Sequence, residues 1–416
     1  MSVPAPLASP VAPIALVVAV LVLASSVGIM STDMYAPSLP YLADHFGASA
    51  STMQLTISLN LLAFGLAQLV HGPLSDRLGR RPVLIGAMLA VAVTCIGCAA
   101  ARTVGELIAA RVAMGLGAAG AAVVGLAVIK DLYDETEQVR ALALLGMVIA
   151  IAPAAAPVAG GYLHVHFGWR SNFVAIGGAA LLAAFVVYRH LPESTVPEPG
   201  ALAPRRVLGG YARLLRRPSF VVHSAMLGAA FGLILAFITG APFVLIEGHG
   251  IAPDRFGWYQ ASIVAAFFLG STLASRAAGR VAPARLLGFG VALVALGTLI
   301  LGAVVLGGFE TPVRFTGAYL VMTFGMGPLF ATAPSLALSG IDGQAGTAAA
   351  LLSGIEQTIA GCAAVLVSLL AAGGSTTVAG TSLALAAGLL VLYRVSRRLG
   401  AAGTGGPSDP NGRFRS

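Results

Sequence analysis

The chain has 416 residues, 57% of them hydrophobic and only 10% charged, with a mean hydropathy of +0.90. A water-soluble domain carries about 25% charged residues, so this composition excludes one; lipid permits a helix that is apolar on its outside as well as in its core. The formal charge of +8 does not indicate nucleic acid, because the basic residues sit in short patches between apolar runs. Cys95, Cys98 and Cys362 lie inside apolar stretches and are odd in number, which excludes a disulfide framework.

Uncharged stretches mark the spans, each needing about 20 residues. Residues 1–32 carry no charge and supply helix one; no cleavable signal peptide is expected, since no Lys or Arg precedes Ala15. Helices two to six fall at 53–72, 82–101, 107–129, 141–163 and 171–188. A polar, Arg-bearing segment, 189–218, divides the chain and reads as a tether with an amphipathic helix (Leu208, Tyr211, Leu214, Leu215) whose arginines meet anionic lipid head groups. Helices seven to ten fall at 220–246, 258–275, 286–308 and 317–338, and the last two share 346–393, split by the loop-like run at 373–377. The expected fold is therefore all-α and polytopic, with twelve transmembrane helices in two six-helix bundles. The bundles are placed at residues 1–188 and 219–396, the central loop at 189–218 and a disordered cytoplasmic tail at 397–416.

With the N-terminus inside, nineteen of the 24 basic residues lie in inward loops and the tail. Four (Arg102, Arg170, Arg255, Arg314) lie outward and Arg111 lies within a span. The positive-inside rule then puts both termini in the cytoplasm, which requires an even number of spans. Two six-helix halves about a central loop can rock against each other and expose a midplane site to either side.

The loop after helix two, residues 72–82, reads GPLSDRLGRRP. Its glycines permit a tight turn and close helix approach, and Asp76 is placed to cap a helix or pair with arginines. This ordered pattern, with Gly72, Asp76, Arg77, Gly79, Arg80 and Arg81, resembles the signature loop of the major facilitator superfamily and stands where that family has it. Arg111 with Gly115 and Gly117 resembles the helix-four motif of proton-driven members. Pro157, Gly160 and Gly161 resemble the helix-five antiporter motif, with Ala156 replacing its first glycine. Residues 31–40, STDMYAPSLP, resemble the bicyclomycin/chloramphenicol-resistance branch of drug:proton antiporters. The resemblance implies a bacterial inner-membrane multidrug antiporter that works by alternating access. It implies small amphipathic drugs and protons as partners, a monomer, and no cofactor beyond the proton gradient.

Three ionisable residues fall within spans: Asp33, Arg111 and Glu356. Each costs about 2.5–3.5 kcal/mol at a helix centre and is tolerated only where it faces a bundle interior or wet cavity. All three are candidates for proton coupling. A carboxyl withdrawn from water is more easily protonated, which suits Asp33, just before Pro37; its bland alternative is a satisfied helix-end aspartate near the outer interface. Glu356 stands about 15 Å along helix eleven from its inner end. It reads as a cation site, a second proton site or a structural partner of Arg111. Candidate substrate contacts are Met30, Asp33, Tyr35, Asn60, Phe64, Glu356 and Gln357. Asn60, Phe64, Gln68 and His71 share one helix face, either as a polar cavity wall or as interhelical hydrogen bonds.

Two rival classes stay open: a metabolite, sugar or amino-acid transporter of the same fold, and a membrane-embedded enzyme. The second needs converging catalytic groups, whereas the seven histidines fall mostly at helix ends or in loops. No GxxxxGK[ST] run is present to bind ATP.

Overall fold

In the computed structural model, residues 13–149, 151–341, 345–370 and 374–404 are described. With no water to satisfy peptide groups, every spanning segment bonds its own backbone, and the described residues are almost entirely helical. The first half holds α1 (Ile14–Asp33), α2 (Leu39–Phe46), α3 (Ala50–Leu78), α4 (Arg80–Ala100), α5 (Val104–Leu132), α6 (Glu135–Ile149), α7 (Ala152–Phe167) and α8 (Arg170–His190). The connector carries α9 (Pro204–Leu215). The second half holds α10 (Pro218–Pro242), α11 (Pro253–Ala277), α12 (Pro283–Leu306), α13 (Pro312–Leu338), α14 (Ala345–Leu369) and α15 (Ser375–Thr404). Ten segments of the described residues are long and apolar enough to cross a membrane. The α6–α7 pair and α11 occupy the remaining two of the twelve positions.

Asp33 falls within the first span as expected: a 3-10 turn at Ala36–Ser38 joins α1 to α2, and the rod runs Ile14–Phe46. Pro37 and Pro40 are accommodated at the starts of the turn and of α2, where a missing N–H costs nothing. Asp33 is therefore in the interior of a continuous span, not at an interfacial helix end. Two boundaries differ from expectation. Helix five is broken rather than continuous, its second piece beginning beside Pro153. Residues 397–404, expected to open the tail, are helical, since α15 continues to Thr404; the rest of that expectation, residues 405–416, lies outside the described residues.

Helix starts follow ordinary capping chemistry. Ser49, Thr103 and Thr311 each accept a backbone N–H three residues on, at 3.2 Å. Gly79, at φ +99°, lets the chain reverse between α3 and α4 with a single residue.

The halves meet along two seams. One pairs α3 with α14, where a Cβ at Gly65 would strike the backbone of Gln357 and one at Gly361 that of Leu62. The other pairs α7 with α11, where a Cβ at Gly161 would strike Pro253 and one at Gly257 Val158. The second seam closes one face of the molecule. On the opposite face, beside residues 72–82 and α9, a cavity of about 760 Å³ opens between the halves.

Candidate functional site

Arg111 is fully buried on α5, and an uncompensated guanidinium there would be prohibitive. It donates to the carbonyl of Ser31, to that of Thr56 at 3.2 Å, and lies 4.9 Å from the centre of the Tyr35 ring. Tyr35 bonds Thr56 at 3.2 Å, Thr32 donates to Asn60 Oδ1 at 3.3 Å, and Asn60 Nδ2 donates to the Arg111 carbonyl at 2.6 Å. Arg111 thus ties α1, α3 and α5 together through carbonyls and a π face. It makes no ion pair with Glu356 among the described residues, so the structural-partner reading of Glu356 is not what the geometry contains. Asn60 proves to be an interhelical hydrogen-bonding residue, fully buried. His71 likewise turns back to the Ala67 carbonyl at 2.9 Å.

Asp33 is 5% exposed. The Gln260 side chain of α11 stands near its carboxyl, so Asp33 sits where the two halves meet. The helix-five glycines make this approach possible: a Cβ at Gly160 would collide with the Met34 backbone, next to Asp33, and Gly161 is the seam residue facing Pro253. Pro157, buried, lines the same seam opposite Gly257. Gln260 was not singled out from the sequence. Its only signal is a buried polar residue on the face that carries Phe256, Gly257 and Ile263.

Glu356 is half-buried on α14, and neither a hydrogen bond nor an ion pair to it is found among the described residues. Gln68, by contrast, is 2% exposed and its Oε1 has no partner. Met30, Phe64 and Gln357 are half-buried; the Phe64 ring lies near Gly28, and Gln357 sets its backbone against Gly65. From the registers Thr32–Asn60 and Gln357–Gly65, Asp33 and Glu356 differ in depth by about 10 Å.

The loop at 72–82 is a charge-based latch. Arg80 pairs with Asp76 at 2.5 Å and Asp131 at 2.9 Å, and donates to Ser75 Oγ at 2.6 Å. Arg81 donates to the Tyr188 carbonyl and lies over its ring. Arg77 is exposed; Gly72 faces Val123 of α5. The sequence reading missed Glu193. Its carboxylate accepts from the backbone N–H of Arg80 at 2.8 Å and of Arg81 at 3.2 Å, capping α4 from across the chain. A negative group at a helix N-terminus is favourable. Glu193→Ala is expected to cost about 1 kcal/mol of stability, read as a lower thermal midpoint of the purified protein. Tyr211 of α9 donates to the Leu69 carbonyl at 3.0 Å. Burial, with the nearby Asp76 charge, holds its phenol above its usual range, so it remains a donor.

Two six-helix halves sharing one interior cavity, with a buried acid where they meet, define a secondary-transporter architecture. The sequence profile of the Major Facilitator Superfamily matches residues 21–365, and the chain belongs to that family. Among curated proteins it is 28% identical to a chloramphenicol resistance protein of Pseudomonas aeruginosa, over 90% of this chain and 89% of that one. It is 29% identical to the multidrug transporter MdfA of Edwardsiella piscicida, over 75% of this chain and 74% of the relative. Among solved structures, a bacterial homologue of the human lysosomal transporter Spinster, inward-facing and unoccupied, aligns with a TM-score of 0.73 at 14% identity, covering 92% of this chain and 97% of that one. The D-xylose–proton symporter aligns with a TM-score of 0.70 at 16% identity, covering 90% and 97%.

Proposed function

We propose that this chain is a proton-coupled efflux antiporter for small amphipathic antibiotics, chloramphenicol among them, in the bacterial cytoplasmic membrane. The observation that carries this reading is Asp33: a carboxyl removed from water, without a cationic partner among the described residues, placed where α1 meets the second half near Gln260. The names borne by the relatives supply the drug class. The basic residues of α9 and the 72–82 loop support a cytoplasmic face there, with the cavity opening inward, both termini cytoplasmic, and arginines of α9 such as the exposed Arg205 reaching lipid head groups.

In this cycle drug enters the cavity from the cytoplasm while Asp33 is charged. The halves rock about the two seams, and the α7–α11 seam opens outward. Proton entry there neutralises Asp33, drug leaves, and the proton is released inside after the return. One proton crossing about 100 mV supplies roughly 2.3 kcal/mol, enough for about a fiftyfold gradient of neutral drug. The protein works as a monomer and needs no cofactor beyond the proton gradient.

The test is a pH gradient preformed in everted vesicles carrying the transporter. Chloramphenicol is expected to dissipate it, and vesicles without the transporter are not expected to respond. A gradient that ignores chloramphenicol but responds to a sugar or amino acid would replace this reading with metabolite transport.

A further inference from the structure

At the deep end of the cavity, Gln68 presents a buried acceptor for which no donor is found among the described residues. The cavity wall on α14 includes Ala349 and Ser353, and on α3 Gln68. Glu356 follows Ala349 by seven residues and Ser353 by three, so it continues the same helix face one turn deeper. The packing of Leu69 against Gly354 and of Gly65 against the backbone of Gln357 fixes the register. Gln68 therefore lies beside this seam at the level of Ser353 and Glu356.

Gln68 Oε1 is buried without a hydrogen-bond partner, an arrangement that ordinarily costs about 1–3 kcal/mol. The fully buried guanidinium of Arg111 stands about 10 Å away along α3, at the level of Asn60, and bonds Ser31 and Thr56 of the first half. The cavity-lining cations Arg80, Lys130 and Arg213 stand at the mouth, with Arg80 held by Asp76 and Asp131. Gln68 and Ser353 thus line one space, and the carboxylate-bearing Glu356 stands one turn deeper on the same face of α14. The group that satisfies all three is a cation with several N–H donors.

We infer that Glu356, Gln68 and Ser353 form a subsite for the protonated amino group of an amine-bearing amphipathic substrate. The subsite is separate from Asp33 and built on the α3–α14 seam. A quaternary ammonium of the same size satisfies the charge but leaves Gln68 unpaired, and a site built to bond an N–H discriminates against a ligand that lacks one. This inference rests on the efflux reading for its physiological meaning, though not for its geometry.

The test is isothermal titration of purified protein at pH 7 with 4-phenylbutylammonium and with its trimethylammonium analogue. Wild type is expected to bind the primary ammonium at least about tenfold more tightly. Gln68→Leu and Glu356→Gln are each expected to bring the two ligands within about twofold, and Glu356→Asp to keep part of the preference. Gel filtration and thermal midpoints establish that each variant is folded; should one fail to fold, the other and the wild-type comparison still decide. Equal affinities in wild type, or a wild-type preference that survives in folded Gln68→Leu or Glu356→Gln, overturn the inference. An intact amine preference in a protein whose proton gradient ignores chloramphenicol would remove the efflux reading and leave the subsite standing.

Discussion

Asp33→Asn is expected to lower chloramphenicol resistance to that of cells lacking the transporter, at unchanged membrane expression. The substitution is nearly isosteric: the amide fills the same 5%-exposed site and still stands near Gln260. Packing at the junction of α1, α7 and α11 is therefore preserved, and what disappears is a group that exchanges a proton. Without it the roughly 2.3 kcal/mol per proton at about 100 mV is no longer available to the drug, and the roughly fiftyfold gradient it sustains collapses toward unity. Everted vesicles separate this outcome from simple misfolding: the variant should still bind chloramphenicol, yet leave a preformed pH gradient untouched. Wild-type resistance from Asp33→Asn would show that the coupling proton is carried elsewhere, and Glu356 would be the first residue to examine.

The architecture was legible because lipid leaves few options. A run of about 20 uncharged residues in so apolar a chain has to be a helix. The latch loop was legible for a different reason, since Gly79 and Arg80 are types that the turn and the charge network both require. What was not legible lies between segments distant in sequence. Glu193 caps a helix that begins 113 residues earlier, and nothing local to the connector announces that partner. Gln260 reads as an ordinary polar residue in helix eight until α11 is laid against α1. That helix one runs on past Pro37 and Pro40 was not announced by the sequence, since it depends on a 3-10 turn that places both prolines where no hydrogen bond is lost. For Arg111 the sequence indicated an inward-facing charge correctly. The choice among partners was open, and the carbonyls of Ser31 and Thr56 that hold it carry no side-chain signal at all.

Gly257→Leu should trap the transporter open on the side of the α7–α11 seam. A Cβ at this position would lie 2.5 Å from both the backbone nitrogen and Cα of Val158, and 2.7 Å from the Pro157 carbonyl carbon. These are main-chain atoms within a helix, so no rotamer change makes room. Overpacking a well-filled contact costs about 1–3 kcal/mol, and a backbone neighbour puts the value at the upper end. The two helices belong to different halves, so the clash vanishes when the halves part. The variant is therefore expected to fold while the closed form falls in population by a factor of about a hundred. Spin labels at Tyr162→Cys and Arg255→Cys, both exposed beside this seam, in a Cys362→Ser background, should report a longer distance in Gly257→Leu than in the parent. Transport should fall with it, because a carrier that cannot reseal on one side completes no cycle. An unchanged label distance together with normal transport would mean that the α7–α11 contact is not the moving closure, and the alternation would then have to be sought at the α3–α14 seam, where Gly65 and Gly361 make comparable backbone contacts.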